Sequence, residues 1–150
     1  PLVAESIDLP IIAAGGMCDA RSAAAAVVLG AEGVQMGTRM LASRESLVHA
    51  NFKEANVAAH DAGPVLLDIP ANPTMRVLRP GLAARVAAHD PDVQLLGKVT
   101  ALYFDGDMEA SVANTGQVSS RIADLLPVAE IVRRTWLEIE AALNGARFRI

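Results

Sequence analysis

The first 42 residues alternate between short apolar runs and glycine turns. The run at 11–14 predicts a strand that is buried on both faces, and 33–36 predicts a second short strand. Residues 20–29 between them predict a well-buried helix, for which Asp19 is the expected N-cap. Because so short a strand–helix–strand unit normally joins parallel strands, we expect a parallel pair with a right-handed crossover.

Helical patterns dominate the rest of the chain. A first helix is expected to end near Ile7, and Ser43 or Ser46 is placed to cap a later one that runs to about residue 59. The remaining patterns predict a strand at 65–69, a helix at 81–88, a helix or strand at 94–104, and an amphipathic helix from Pro127, in its first turn, to Gly145.

Composition narrows the class of protein. Of the 150 residues, 52% are hydrophobic and 20% are charged, which excludes an intrinsically disordered chain. The 13 basic and 17 acidic residues give a net charge of −4, so we expect no nucleic-acid partner. No apolar run is long enough to cross a membrane. A single cysteine cannot form an internal disulfide, so the cytoplasm is the expected compartment, and we expect no metal.

Glycines follow both predicted strands of the first unit. Gly15 and Gly16 end the first strand, and Gly37 with Thr38 ends the second. Glycine lets backbone N–H groups approach an anion closely, and a helix N-terminus after each strand favours a phosphate. In an eight-stranded α/β barrel, a phosphate commonly lies between the loops that follow the last two strands. The alternative is that these glycines only permit tight turns.

Three stretches of the chain carry a family pattern. They are Pro10-Ile11-Ile12-Ala13-Ala14-Gly15-Gly16-Met17, the run 29–41 with its Gln35-Met36-Gly37-Thr38-Arg39, and Gly116-Gln117-Val118 followed by the run 126–132. Together they closely resemble nitronate monooxygenases, also called 2-nitropropane dioxygenases. FMN-dependent enoyl-acyl-carrier-protein reductases share the pattern.

This resemblance implies an α/β flavoprotein with FMN as its cofactor. The chain would form the C-terminal part of a TIM (β/α)8 barrel, with its last two strands, a mixed insertion and C-terminal helices. Residues 1–42 would be the last βα units, 43–104 an insertion or lid-like segment, and 105–150 a C-terminal segment whose helix packs back on the barrel. The implied FMN-binding residues are Gly15, Gly16, Gln35, Met36, Gly37 and Thr38, with Gln117 near the flavin or the substrate entrance.

The resemblance also implies that part of the active site lies elsewhere. In the family, the catalytic base and the contacts to the flavin ring come from earlier strands, so the catalytic residue is unknown here. Two strands cannot close an eight-stranded barrel. We therefore expect a companion chain with the N-terminal strands, and a homo-oligomer is compatible with the pattern. Alone, this chain is expected to be inactive and to expose strand edges and an apolar face.

Three functions follow from the resemblance. The first is an FMN-dependent oxidoreductase of the nitronate monooxygenase type, a nucleotide-binding flavoprotein that acts on a small molecule. The second is an FMN-dependent reductase or dehydrogenase of an enoyl- or hydroxyacyl-thioester, which the divergent segment 67–88 leaves open. The third is a non-catalytic flavin- or phosphate-binding subunit or fragment.

Several other polar residues have two interpretations each. Arg39 either reaches the phosphate or pairs with an acid, and the pattern does not separate these. Cys18 lies where a helix N-terminus lowers a thiol pKa, but a small buried apolar residue is the favoured interpretation. Surface or helix-end roles are expected for His49, His60 and His89, a solvated face rather than a coenzyme A contact for Arg76, Arg79 and Arg85, and a solvated turn rather than a calcium loop for 105–109.

Overall fold

The computed structural model describes residues 1–59, 63–67, 74–78, 81–88, 90 and 97–145. The strands are β1 (Ile12–Ala14), β2 (Gly33–Gln35), β3 (Pro64–Leu67) and β4 (Met75–Leu78). The α-helices are α1 (Leu2–Ser6), α2 (Ala20–Val28), α3 (Thr38–Leu41), α4 (Ala50–Val57), α5 (Gly81–Ala87) and α6 (Val128–Asn144). A π-helix covers Ala101–Asp105, and a 3-10 turn covers Ser119–Arg121. Within these ranges, no helix has both the length and the apolar character needed to cross a membrane.

The predicted strand–helix–strand unit is confirmed. β1 and β2 pair in parallel, with Ile12 opposite Gly33, and α2 connects them. Asp19 is the N-cap of α2, because its side chain accepts a hydrogen bond from the Ser22 N–H at 2.8 Å. The Ser22 hydroxyl accepts in return from the Asp19 N–H at 3.2 Å, which completes a capping box.

One expectation about this unit is wrong. β1 is not buried on both faces, since Ile12 is 61% exposed and Ala14 is also exposed. In the described part of the chain, β1 pairs with β2 alone, so the outer edge of each strand has no neighbour. The second strand also ends one residue earlier than predicted, at Gln35.

The helix predicted after residue 42 begins later than expected. The N-cap of α4 is His49, whose Nδ1 accepts from the Asn51 N–H at 3.2 Å, and neither Ser43 nor Ser46 caps it. Ser43 instead lies beside Leu126 in an isolated parallel bridge. Its hydroxyl accepts from the Ser46 N–H, so both serines are used in the turn before α4.

The middle of the chain contains an antiparallel hairpin. β3 confirms the predicted strand over 65–67, whereas residues 68 and 69 lie outside the described residues. β4 was not predicted, because its four residues lack a clean apolar–polar alternation. The segment at 113–115 lies along β4, with the Leu78 N–H donating to the Ala113 carbonyl at 2.9 Å.

The later helices largely agree with the pattern. α5 and α6 are confirmed, although Pro127 is the N-cap of α6 and not part of its first turn. Of the ambiguous run 94–104, residues 97–98 form a turn and 99–104 are helical and enter the π-helix, while 94–96 lie outside the described residues.

A single segment, residues 112–122, connects three apolar clusters. Its side chains enter the cluster of the hairpin and α5, the cluster of α4 and the π-helix, and the cluster beside Cys18. The members of this segment in those clusters are Val112, Ala113, Val118 and Ile122. This segment therefore fixes the hairpin and α4 relative to the parallel pair, while α6 packs on α2.

Candidate cofactor-binding site

The turns after β1 and β2 lie at the same edge of the parallel pair. Ala14 is opposite Gln35, so the turn at 15–16 and the turn at 36–37 begin side by side. This edge is formed by the carboxyl ends of the strands, where α/β proteins place their ligands. The structure thus brings the two predicted glycine turns together.

Backbone at both turns faces open space. Gly15 and Gly16 have φ values of 87° and 79°, a left-handed conformation that glycine adopts at little cost. A Cβ atom placed on Gly15 or on Gly37 would meet no atom within 4 Å. Gly37 has a φ of −92°, which any residue can adopt, so its lack of a side chain serves space rather than backbone conformation.

The Asp19 carboxylate lies beside the first turn. It caps α2 by accepting from the Ser22 N–H, so it occupies one of the unpaired N–H groups at that helix end. A phosphate contact at this end stays a prediction. Burial opposes ionisation of Asp19, but hydrogen bonds from Ser22 and Arg121 outweigh it and hold the pKa of this carboxyl below its ordinary value. The same ion pair raises the pKa of Arg121. The amides of the two turns are further donors that an anion at this edge can use.

Thr38 joins the second turn to a distant segment. Thr38 is buried, and its Oγ1 accepts a hydrogen bond from the Gly116 N–H at 2.8 Å. A Cβ atom on Gly116 would lie 2.5 Å from that oxygen, so only glycine permits this approach. A hydroxyl can donate while it accepts, so the Thr38 proton can still serve a ligand.

Gln117 lies beside the first turn. A Cβ atom on Gly16 would be 3.1 Å from Gln117 Nε2, although the two residues are about a hundred positions apart in the sequence. Gln117 is exposed, so its amide is accessible from the open side of the turn. Its contact with a flavin or substrate stays a prediction.

Gln35 and Met36 point to different surroundings. Gln35 is the exposed last residue of β2. Met36 lines an apolar cleft between β2 and α6, together with Val34, Met40 and Trp136. Its contact with the cofactor stays a prediction.

Arg39 is engaged away from the turns. It is 6% exposed, and its Nη1 donates to Asp124 Oδ1 at 2.9 Å. Its Nη2 donates to the carbonyls of Ala42 and Asp124. Of the two interpretations that the sequence left open, the structure favours pairing with an acid.

The remaining titratable candidates lie outside the site. Burial raises the pKa of the Cys18 thiol, which packs among apolar side chains, as expected for a structural cysteine. His49 is the half-buried N-cap of α4, which agrees with the expected helix-end role. His60 and His89 lie outside the described residues. Residues 105, 107 and 109 are exposed carboxylates, as expected of a solvated turn.

The arginines of the middle segment are also separate from the turns. Arg85 pairs with Asp90 at 2.9 Å on an exposed face, as expected. Arg76 is half-buried on β4, and Arg79 lies outside the described residues.

Two polar residues near the site, Asn56 and Thr115, were not predicted from the sequence. Asn56 is completely buried on α4, and its Oδ1 accepts from Thr115 Oγ1 at 2.7 Å. Asn56 is four residues after Phe52, on the same buried helix face. A polar residue at an apolar position of the helical period was therefore a signal that the sequence contained.

Known proteins are similar to this chain in sequence. The model of the family described as nitronate monooxygenase matches residues 1–138. A probable nitronate monooxygenase of Staphylococcus aureus (strain MSSA476) is 30% identical over 140 residues, which are 88% of this chain and 39% of that protein. One from Staphylococcus saprophyticus is 41% identical over 69 residues, or 46% of this chain and 19% of its own. The chain thus spans about two-fifths of the length of the first of these relatives.

Solved structures share its fold. FabK from Thermotoga maritima superposes with a TM-score of 0.88 at 35% identity, over 96% of this chain and 48% of that chain. A nitroalkane oxidase from Streptomyces ansochromogenes superposes with a TM-score of 0.70 at 27% identity, over 95% of this chain and 42% of that one. With the family match over most of its length, this chain belongs to the nitronate monooxygenase family.

Proposed function

We propose that this chain is the FMN-binding part of a flavin-dependent oxidoreductase. The observation that carries the proposal is that the turns after β1 and β2 meet at one edge, together with a third turn at Gly116 and Gln117, and leave open space at Gly15 and Gly37. A tight turn alone does not require that space, because the φ of Gly37 is ordinary. Membership in the nitronate monooxygenase family supports the flavin as the ligand.

The residues at this edge fit a phosphate group. Main-chain N–H groups of the two open turns would bind its oxygens, and the Thr38 hydroxyl would donate another hydrogen bond. Gln117, beside Gly16, would contact the cofactor or the substrate from the third turn. When bound, FMN accepts electrons from a substrate and passes them to an acceptor.

We further propose that β1 and β2 are the last two strands of a TIM barrel. Residues 43–104 would then be an insertion and 105–150 the segment that returns to the barrel. Both outer strand edges lack a partner among the described residues, and Ile12 is exposed. An apolar cleft of about 320 Å³ lies between β2 and α6, beside Trp136, which is 76% exposed. The other strands and helices of the proposed barrel would cover this cleft.

Those strands would be supplied by polypeptide outside these 150 residues, such as a companion chain. The relatives are more than twice as long as the part that matches. We propose that this polypeptide also carries the catalytic base and the contacts to the flavin ring, so that the present chain binds the cofactor but has no turnover alone.

Substitution of Gly37 tests the cofactor site. In the complete protein, Gly37→Val is expected to abolish FMN retention, because its side chain would fill the space proposed for the phosphate. The apo protein should keep its melting temperature, since nothing in the structure contacts a Cβ atom at this position. Bound FMN is measured by visible absorbance after gel filtration, and stability by thermal unfolding of the apo protein.

Ala25→Val is the matched control, because Ala25 is exposed in the middle of α2 and belongs to neither turn. This variant should retain FMN at the wild-type stoichiometry. If Gly37→Val also retained stoichiometric FMN, the phosphate would lie elsewhere and the proposed site would be wrong.

A second candidate substrate class has specific support. FabK is more similar to this chain than the nitroalkane oxidase is, by identity and by TM-score. The enoyl-acyl-carrier-protein reductases, to which FabK belongs, share the motifs of this chain. We therefore propose reduction or oxidation of an acyl thioester as the alternative to nitronate oxidation. Assays of the complete protein with an alkyl nitronate plus oxygen, and with an enoyl thioester plus a nicotinamide donor, distinguish the two. Tight FMN binding without turnover in either assay would favour a non-catalytic flavin-binding protein.

A further inference from the structure

Asn56 is an unusual residue for its position. It is completely buried on α4 beside Phe52, where an apolar side chain would normally lie. Burial of an amide costs free energy unless its polar atoms are hydrogen-bonded. Asn56 Nδ2 donates to the Phe52 carbonyl at 3.1 Å, and Oδ1 accepts from Thr115 Oγ1 at 2.7 Å.

The directions of these two bonds are fixed by chemistry. The Phe52 carbonyl can only accept, so the Asn56 amide nitrogen must face it. The Asn56 oxygen then faces Thr115, whose hydroxyl must act as the donor. The amide therefore holds Thr115 in one rotamer, and serine is the one other small residue that can supply the same donor.

Thr115 begins the third turn of the site. Its N–H donates to the Arg76 carbonyl at 3.0 Å, which fixes its main chain to β4. The next residue, Gly116, donates to Thr38 Oγ1, and the following residue is Gln117. Three consecutive positions therefore contact, in order, α4, α3 and the first glycine turn.

We propose that Asn56 and Thr115 are positioning residues that hold Gln117 and Gly116 against the cofactor-binding turns. This inference rests on the proposed function of those turns. The hydrogen bond of Asn56 sets the third turn, which an apolar residue at this position could not do. Asn56 and Thr115 thereby contribute to cofactor affinity without touching the cofactor.

Thr115→Val tests the pair with little change in shape. In the complete protein, this variant should weaken FMN binding about tenfold, because it removes the donor and leaves Asn56 Oδ1 buried without a partner. Thr115→Ser keeps the donor and should bind FMN within about twofold of the wild type. The dissociation constant is measured by titration of the apo protein with FMN, followed by flavin fluorescence.

A double variant separates positioning from stability. Asn56→Leu combined with Thr115→Val replaces both polar partners with apolar groups, which can leave stability nearly unchanged. We expect its melting temperature to return toward that of the wild type while its FMN affinity stays weak. Recovery of both quantities together would mean that the pair has a structural role only, and would overturn the inference.

Gln117 completes the test. Gln117→Ala should weaken FMN binding to the same extent as Thr115→Val, and the combined variant should show no further loss, because both act through one contact. Wild-type affinity in Thr115→Val, beside loss of FMN in Gly37→Val, would contradict the inference and leave the proposed function intact. Absence of FMN binding in the wild type would contradict both.

Discussion

At the scale of single residues, Asp19 links two parts of the candidate site. Its carboxylate caps α2, accepts from Ser22 and pairs with Arg121 of the 3-10 turn at 2.5 Å. It therefore connects the helix that follows the first glycine turn to the segment that carries Gln117. Its carboxylate also offsets part of the positive charge at the N-terminus of α2, so the amides of the two turns become more important as donors for an anion.

The ionisation of Asp19 predicts a pH dependence of stability. Because the pKa of Asp19 in the folded protein lies below its ordinary value of 3.8, the charged form is favoured by folding. Its contribution is complete at higher pH and is lost as the pH falls through the lower folded pKa. Compared with Asp19→Asn, the complete wild-type protein should be more stable by about 0.5 kcal/mol at neutral pH, a small value because the pair is partly exposed.

Urea unfolding of both proteins from about pH 7 to about pH 3 measures this difference. Asparagine keeps the helix cap but cannot ionise, so the two curves should converge at the acid end. A constant gap across the whole range would show that the charge of Asp19 is not responsible.

At the scale of elements, one face of α2 packs against β2 and α6. Its buried positions are all alanine, at 20, 23, 24 and 26. Small side chains allow helix and strand backbones to approach closely. Its exposed face carries larger apolar residues, with Val28 71% exposed. The alanine run therefore sets the spacing between the two layers.

Enlarging a buried alanine of α2 should disturb this spacing. Ala23 is completely buried, so Ala23→Leu should reduce the free energy of unfolding by about 1–3 kcal/mol through overpacking. Ala25→Leu, on the exposed face of the same helix, should change it by less than about 0.5 kcal/mol. Chemical denaturation of the complete protein compares the two variants, and equal effects would place Ala23 in a cavity able to accept leucine.

At the scale of the whole molecule, the described residues leave apolar surface at β1 and α6. Ile12 of β1 lies opposite Gly33 of β2, which has no side chain. The Ile12 side chain is 61% exposed. A two-stranded parallel sheet with both edges free is rare in complete proteins. The proposed barrel strands would cover both edges.

Ile12→Ser tests that coverage in the complete protein. If Ile12 is buried there, the substitution should reduce the free energy of unfolding by about 2–4 kcal/mol, by loss of apolar burial and a cavity. Ala25→Ser, at an exposed position of α2, is the control and should have little effect. A loss below about 1 kcal/mol for Ile12→Ser would mean that Ile12 stays exposed and that no strand covers it.

Local patterns in the sequence determined the first unit and its cap. The apolar runs, the glycines after them and Asp19 before α2 act over a few residues, so β1, α2 and β2 followed from the pattern. The family pattern also singled out Gln117. The cap of α4 was missed because His49 has a weak capping preference, and serine is the stronger signal.

The tertiary structure decided which distant side chains meet. Arg39 pairs with Asp124 across 85 positions, Thr38 accepts from Gly116 across 78, and Asn56 accepts from Thr115 across 59. No local signal encodes these partners, because each depends on how the segment 112–122 packs among three apolar clusters. The sequence by itself determined the glycine turns and the helix that separates them. The third turn reaches the two glycine turns only because the segment 112–122 buries its apolar side chains in three clusters formed by distant parts of the chain.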